Sequence, residues 1–290
     1  KYREQQPLLQ ALTREYGIPG HYLVAFWGLE TNYGGFLGSI PVLDALSTLA
    51  CEGRRGDYFS GELMNALRII QSGDVEASQM EGSWAGAMGQ TQFMPAIFPK
   101  YAIDHDGDGR RNLWKSEDDA LASAANFLQG LGWQREQRWG REVTLPDNFD
   151  FQLTGFAHQR SLSDWAKLGV RMPNGQPLPQ ADMEAALVVP SGHNGPAFLA
   201  YQNFRVIMGW NRSESYAIAV GRLADARAVG AAGSGGAHGR GLRGAVGARK
   251  RARLPPAAFP FDIGRLAHHK PPRPCRFRRA GRFHLRAALP

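Results

Sequence analysis

The 290-residue chain is poor in cysteine, with only Cys51 and Cys275. Two thiols cannot build a disulfide framework or a Cys-rich zinc module, and they leave the redox compartment open. No stretch approaches the roughly 20 consecutive apolar residues of a membrane-spanning helix. The eight histidines are scattered and form no His-Glu-x-x-His zinc helix. There is no Gly-rich phosphate loop, dinucleotide fingerprint or Gly-x-Ser-x-Gly elbow, so nucleotide-dependent and esterase chemistry have no support. Residues 1–16 contain no long apolar run, so no signal segment is visible.

Acidic residues are nearly missing from one end. Residues 231–290 hold 14 Lys and Arg against one acid, Asp262, whereas residues 1–230 hold 20 against 25 Asp and Glu. The net charge of +8 therefore belongs to the last sixty residues and is no sign of a nucleic-acid-binding body. Of those sixty, 40 are Ala, Gly, Arg or Pro, and Thr, Asn, Gln, Glu, Met, Trp and Tyr are absent. A segment that can bury so little apolar surface is expected to be disordered, which divides the chain into a folded 1–228 and a basic tail 229–290. A basic arm for an anionic polymer and a plain tail both fit this composition. A frame shift in a GC-rich gene fits it too, and is the favoured account, because all four dominant residues have GC-rich codons.

What fills residues 1–228 is mostly helical periodicity. Pro7–Tyr16 carries Leu8, Leu9, Leu12 and Tyr16 at helix spacing, and His21–Thr31 is apolar on nearly every side, the mark of a buried helix. Further helices are expected at Leu43–Ala50, Gly61–Gln71, Ser116–Leu131 (capped by Ser116) and Ser213–Ala228. Strand-like runs are short: Glu142–Leu145 and Ala185–Val189. The expected class is α+β, mainly α with minor β.

Four stretches carry residues suited to chemistry. Glu30 ends the apolar helix beside Phe26, Trp27 and Leu29, where lost solvation would raise its pKa toward that of a general acid; a surface glutamate or helix cap is the plainer reading. Ser83–Pro95 combines small residues, which let a ligand approach the backbone, with Ser83, Gln90 and Gln92 for hydrogen bonds and Trp84 and Phe93 for stacking; a tight packing turn reads equally well. Asp104, Asp106 and Asp108 stand at positions 1, 3 and 5 of an EF-hand-like loop with Gly109 at 6 and the Arg110 carbonyl at 7. Lys115 occupies position 12, so a closing carboxylate must come from Glu117, Asp118 or Asp119; an Asp-rich turn without metal is the alternative reading. Phe204–Tyr216, containing Trp210-Asn211-Arg212-Ser213, could line a carbohydrate cleft, or Asn211 could simply start a helix. Cys51 reads as a small apolar core residue.

Taken together, the four stretches resemble the B-type lytic murein transglycosylases (glycoside hydrolase family 103) over about residues 15–228. Glu30-Thr31-Asn32-Tyr33-Gly34 is similar to the family's Glu-[Ser/Thr]-x-x-Gly signature. Ser83–Pro95, the Asp-rich loop ending in Asn112-Leu113-Trp114, and Gly195–Phe198 through Ser213 follow in family order. The resemblance implies a lysozyme-like catalytic core and cleavage of the β-1,4 bond between N-acetylmuramic acid and N-acetylglucosamine. The product would be a 1,6-anhydromuramoyl end, with Glu30 acting as acid and then base. It implies glycan contacts for Tyr58, Ser83, Gln92, Phe93, Trp210 and Asn211. It also implies a structural calcium ion held by Asp104, Asp106, Asp108, Arg110 and Asp119, with no organic cofactor. Trp210 and Phe127 stand where relatives usually have Tyr. The family's N-terminal portion is expected to precede Lys1. A monomer acting on peptidoglycan strands in the periplasm is expected, with no nucleic-acid partner. The family leaves room for an outer-membrane lipid anchor and for cell-wall synthase partners. The rival readings are a hydrolytic muramidase and a non-catalytic peptidoglycan-binding scaffold of the same fold.

Overall fold

The computed structural model describes residues 1–232. They open with α1 (Gln6–Tyr16) and α2 (Gly20–Thr31). α1 has Pro7 in its first turn, where no backbone donor is needed, and buries Leu9, Leu12 and Tyr16. It stops at Gly17 with φ 76°, a left-handed cap that glycine adopts without steric cost. α2 is buried from Tyr22 through Trp27, as a helix without a polar face must be. A two-residue strand β1 (Ile40–Pro41) leads into α3 (Val42–Glu52) and α4 (Gly56–Gln71), which pack along each other. β2 (Glu81–Gly82) pairs antiparallel with β1. The short α5 (Phe98–Tyr101) precedes the Asp-rich loop, and α6 (Glu117–Gly130) follows it.

The C-terminal half adds β3 (Gly140–Val143), β4 (Arg160–Ser161), α7 (Leu162–Lys167), β5 (Glu184–Val188), β6 (Ala197–Ala200), α8 (Gln202–Trp210) and α9 (Glu214–Ala232). The four longer-range strands form an antiparallel sheet in the order β3-β6-β5-β4. Side chains alternate across a strand, and both faces of this sheet are covered. Leu187 and Leu199 join a core with Trp165 of α7, while Val188 and Phe198 join the helical core around α2. That double burial explains why Ala185–Val189 reads as an unbroken apolar run rather than an alternating one.

A third core lies between α3, α4 and the 80–102 segment, with Leu113 and Phe127 in it. Trp210 and Leu131 touch both this core and the helical core, so the end of α8 stands at the seam between two lobes.

The six expected helices are all present. α4 starts five residues earlier than its periodicity suggests, at Gly56. α8 was not expected, because it is short and has no side-chain cap. Cys51 is not a core residue: it is exposed near the end of α3, on the face turned away from Ala45 and Leu46, and it is not a free thiol. The expectations for the basic tail beyond Ala232, and for Cys275, lie outside the described residues. No helix among the described residues is long and apolar enough to cross a membrane.

Candidate active site

Glu30 is the penultimate residue of α2. The helix ends abruptly after it, through Asn32 (φ 51°), Tyr33 (φ 61°) and Gly34 (φ 76°) in succession. Left-handed backbone at two side-chain-bearing residues is costly and persists only where surrounding bonds hold it. Here Thr31 provides them. Its buried hydroxyl donates to the Gln90 carbonyl at 2.7 Å and accepts from the Gly34 N–H at 3.1 Å. The Thr31 carbonyl accepts from the Phe36 N–H at 2.9 Å.

Glu30 is half-buried as a residue at the seam between the lobes, with its carboxyl at the buried end of the side chain. Oε1 accepts the indole N–H of Trp210 at 3.1 Å and the hydroxyl of Tyr216. Oε2 takes no hydrogen bond among the described residues. Burial pushes the carboxyl up to about 7; the bonds from Tyr216 and Trp210 favour the charged form and act against burial. No second carboxylate among the described residues contributes to this shift. Burial, and then the Glu30 charge, hold the Tyr216 hydroxyl far above its ordinary value, so it remains a donor. The Trp210 ring is held by Phe26 (4.7 Å), Phe127 (5.1 Å) and Phe93 (5.5 Å between centroids).

Ser83–Pro95 forms the adjoining wall. Ser83 Oγ accepts the Ala87 N–H at 3.0 Å and so closes its own turn, while Trp84 is exposed. Gln92 sits at φ 51° and donates to the Leu37 and Gly89 carbonyls, which ties the wall to the segment after the Glu30 turn. Tyr58 is exposed in the first turn of α4 under the Arg55 guanidinium, 4.3 Å from its ring. Burial raises its hydroxyl pKa, with Glu62 adding to the effect, while the charges of Arg55 and then Arg212 act against it. Asn211 ends α8, and its side chain accepts the Ser213 N–H at 3.2 Å, a turn that starts α9.

Two expectations need correction. Phe93 is 2% exposed, so its face is not open to a sugar; it supports Trp210 and Phe127 from below. Gln90 is buried too, and its side chain is engaged by Trp27 rather than open to the cleft. Sequence reasoning included Tyr216 at the end of its fourth stretch but gave it no role of its own. Its signal was an aromatic residue in the first turn of the helix that starts beside Trp210-Asn211.

The Asp-rich loop is built as a cradle. Ser116 caps α6 by accepting the Asp119 N–H at 3.1 Å, and its hydroxyl donates to Asp106 at 2.7 Å. Asp119 is fully buried and accepts the N–H groups of His105, Asp106 and Asn112. The carboxylates of Asp104, Asp106 and Asp119 come within 4.8 Å of one another. Three acids held this close, one of them without solvent, fit a hard divalent cation and oppose one another without it. Asp108 and Arg110 stand outside this trio, exposed on the same loop, with the Arg110 N–H bonded to Asp108 at 2.8 Å.

Residues 1–225 match the family described as Transglycosylase SLT domain. The chain belongs to that family. It is 34% identical over 231 residues to Membrane-bound lytic murein transglycosylase B of Escherichia coli (strain K12), covering 79% of this chain and 62% of the relative. Among solved structures of the family, SltB3 from Pseudomonas aeruginosa in complex with NAG-anhNAM-pentapeptide has 47% identity and a TM-score of 0.76. That match covers 78% of this chain and 60% of SltB3. The Escherichia coli lytic transglycosylase Slt35 in complex with calcium has 33% identity and a TM-score of 0.69, over 79% of this chain and 72% of Slt35. The chain thus spans about three-fifths of the first two relatives. The SLT domain fold, helical with small sheets, is the one described above.

Proposed function

We propose that this SLT domain is a peptidoglycan lytic transglycosylase with Glu30 as its only catalytic carboxyl group. The observation that carries the reading is the Glu30 carboxyl at the seam between the lobes, raised to about 7 by burial, with no second carboxylate among the described residues contributing to that shift. A two-carboxylate glycosidase would place an acid and a nucleophile or base on either side of the bond. One group that begins protonated and ends as it started suits a reaction whose nucleophile belongs to the substrate.

Oε1 is occupied by two protein donors, so the proton resides on Oε2. Oε2–H protonates the glycosidic oxygen, and the bond from that oxygen to the muramoyl anomeric carbon breaks. The muramoyl 6-hydroxyl forms the new bond to the anomeric carbon and gives its proton to Oε2. No water is consumed, and Glu30 is protonated again. Trp210 and Tyr216 stabilise the carboxylate in the interval, when it is charged. Tyr58, Ser83, Gln92 and Asn211 border the cleft as glycan contacts, Trp210 acts through Glu30, and Phe93 supports it. The SltB3 complex with a muropeptide supports this substrate class.

Asp104, Asp106 and Asp119 are the calcium ligands of this reading, with Asp108 and the Arg110 carbonyl nearby. The Slt35 complex with calcium supports the choice of ion. Calcium supplies charge neutralisation that holds the loop closed. In this reading the enzyme works in the periplasm, where its substrate lies, and acts on glycan strands as a monomer.

The test is a digest of purified peptidoglycan by the full chain, with Glu30→Gln as control, read by mass spectrometry. Anhydromuramoyl ends that depend on Glu30 are expected. Reducing ends, one water heavier, would make the protein a muramidase. Binding without product would make it a scaffold.

A further inference from the structure

We propose that Gln90 positions Glu30 by clamping the end of α2 from both sides of it. The inference rests on Glu30 being the acid of the proposed reaction. Gln90 is 4% exposed and reaches α2 twice and the turn beyond it once. Its side-chain Oε1 accepts the indole N–H of Trp27 at 2.9 Å, a buried bond. Its backbone carbonyl accepts the Thr31 hydroxyl at 2.7 Å. Its amide oxygen also fills the space beside Gly34, where an added Cβ would lie 2.6 Å from it. Trp27, Thr31 and Gly34 bracket Glu30 in the chain.

The other side of Gln90 is anchored outside α2. Its backbone N–H donates to the Leu113 carbonyl at 2.8 Å, in the segment that leaves the Asp-rich loop. The Asn112 N–H, one residue earlier, is held by Asp119 at 2.7 Å. Gln90 therefore joins the helix that carries the acid to the segment that Asp119 holds at the end of the Asp-rich loop.

The clamp matters because the Glu30 carboxyl bonds, among the described residues, to Trp210 and Tyr216, which come from α8 and α9. Where its carboxyl sits against those donors depends on where the end of α2 sits. The turn beyond Glu30 carries Asn32 and Tyr33 in left-handed backbone, so it relaxes when its outside bonds are removed. A buried amide with its oxygen on an indole N–H cannot contact a sugar, which separates this role from a glycan contact.

The experiment is Gln90→Met, which keeps side-chain length and loses the amide oxygen. Gln90→Asn, whose amide falls short of Trp27, serves as the second variant should the first lose its fold. Glu30 is titrated by carbon NMR in the folded protein, and turnover on peptidoglycan is measured beside it. With the clamp gone, Glu30 leaves the two donors that favour its charged form. Its pKa is expected to rise by about half a unit or more. The kcat is expected to fall about tenfold, with KM near wild type.

A folded variant with an unmoved or lowered Glu30 pKa overturns the proposal. So does a loss of activity that only follows the folded fraction, or one confined to KM. The titration does not depend on turnover. If wild type gives no Glu30-dependent product, the functional reading fails, while the titration still decides whether Gln90 sets the place of Glu30.

Discussion

The indole N–H of Trp210 donates to Glu30 Oε1 at 3.1 Å, across 180 residues of sequence. An indole N–H is a donor only, so Trp210 can stabilise the carboxylate and can never compete for the proton. Trp210→Phe keeps an aromatic ring against Phe26, Phe93 and Phe127 but removes the donor. Burial is then less opposed and the Glu30 pKa rises. The reaction starts from the protonated acid, so the alkaline limb of the pH–rate profile, near 7 in wild type, is expected to move to higher pH. A limb that stays in place would remove Trp210 from the electrostatics of the site.

Tyr216→Phe acts in the same direction. The Tyr216 bond lowers the Glu30 pKa more than the Trp210 bond does, so its limb is expected to move further. The double variant Trp210→Phe, Tyr216→Phe separates the two contributions, since both donors share one oxygen and their effects need not add. Maximal rate is expected to fall in each variant, because the donors are most valuable when the carboxylate is charged. The pH–rate profiles of the three proteins check this.

Glu30 costs the fold stability at neutral pH. Its pKa is raised in the folded protein from 4.5 to about 7. Above 4.5 the unfolded chain loses its proton while the folded chain keeps it, so wild-type stability falls as pH rises toward 7 and levels off beyond. Glu30→Gln has no such penalty. The variant is expected to match wild type near pH 4 and to exceed it by about 3 kcal/mol at pH 8. Urea unfolding at the two pH values measures the difference; an equal gap at both would mean the carboxyl is not desolvated.

Much of this site is legible from local residue patterns. An acid at the end of an all-apolar helix announces desolvation, and Asp119 follows Ser116 at the spacing of a helix cap. What is not legible are the bonds that span the chain. Tyr216 lies 186 residues from Glu30 and looks, in sequence, like an ordinary aromatic of a first helical turn. Gln90 and Gln92 are two residues apart and chemically alike, yet Gln90 turns into the core toward Trp27 and Gln92 turns toward Leu37. Phe93 looks like a stacking residue until Phe127 and Trp210 are placed over it. The sequence pattern marks Ser83–Pro95 as important; only the tertiary arrangement says which of its side chains face the cleft.

Calcium is expected to raise the melting temperature. Binding at a hundred times the dissociation constant adds about 2.7 kcal/mol, equivalent to roughly 5–10 °C for a domain of this size. Asp119→Ala removes the buried carboxylate that three backbone N–H groups surround, and the calcium-dependent part of the shift is expected to disappear. Melting curves of wild type and variant, each with calcium and with chelator, make the comparison. A wild-type curve that chelator leaves unchanged would mean that Lys115, in the place of the closing acid, has cost the loop its ion.

Gly89→Ala tests how firmly the wall of the site is tied to that loop. Gly89 has φ 67°, and an added Cβ would lie 2.7 Å from both the Cβ and the backbone oxygen of Leu113. Backbone cannot give way as a side-chain end can, and the left-handed conformation adds its own penalty for alanine. The Leu113 carbonyl is also the acceptor of the Gln90 N–H, so the clash falls on the bond that ties Gln90 to the loop. The variant is expected to lose about 2–4 kcal/mol of stability in urea unfolding. Activity should fall with it, because Gln90 and the end of α2 move with the displaced loop. A loss below about 0.5 kcal/mol would show that the wall shifts without resistance, and the rigid coupling argued for Glu30 would not hold.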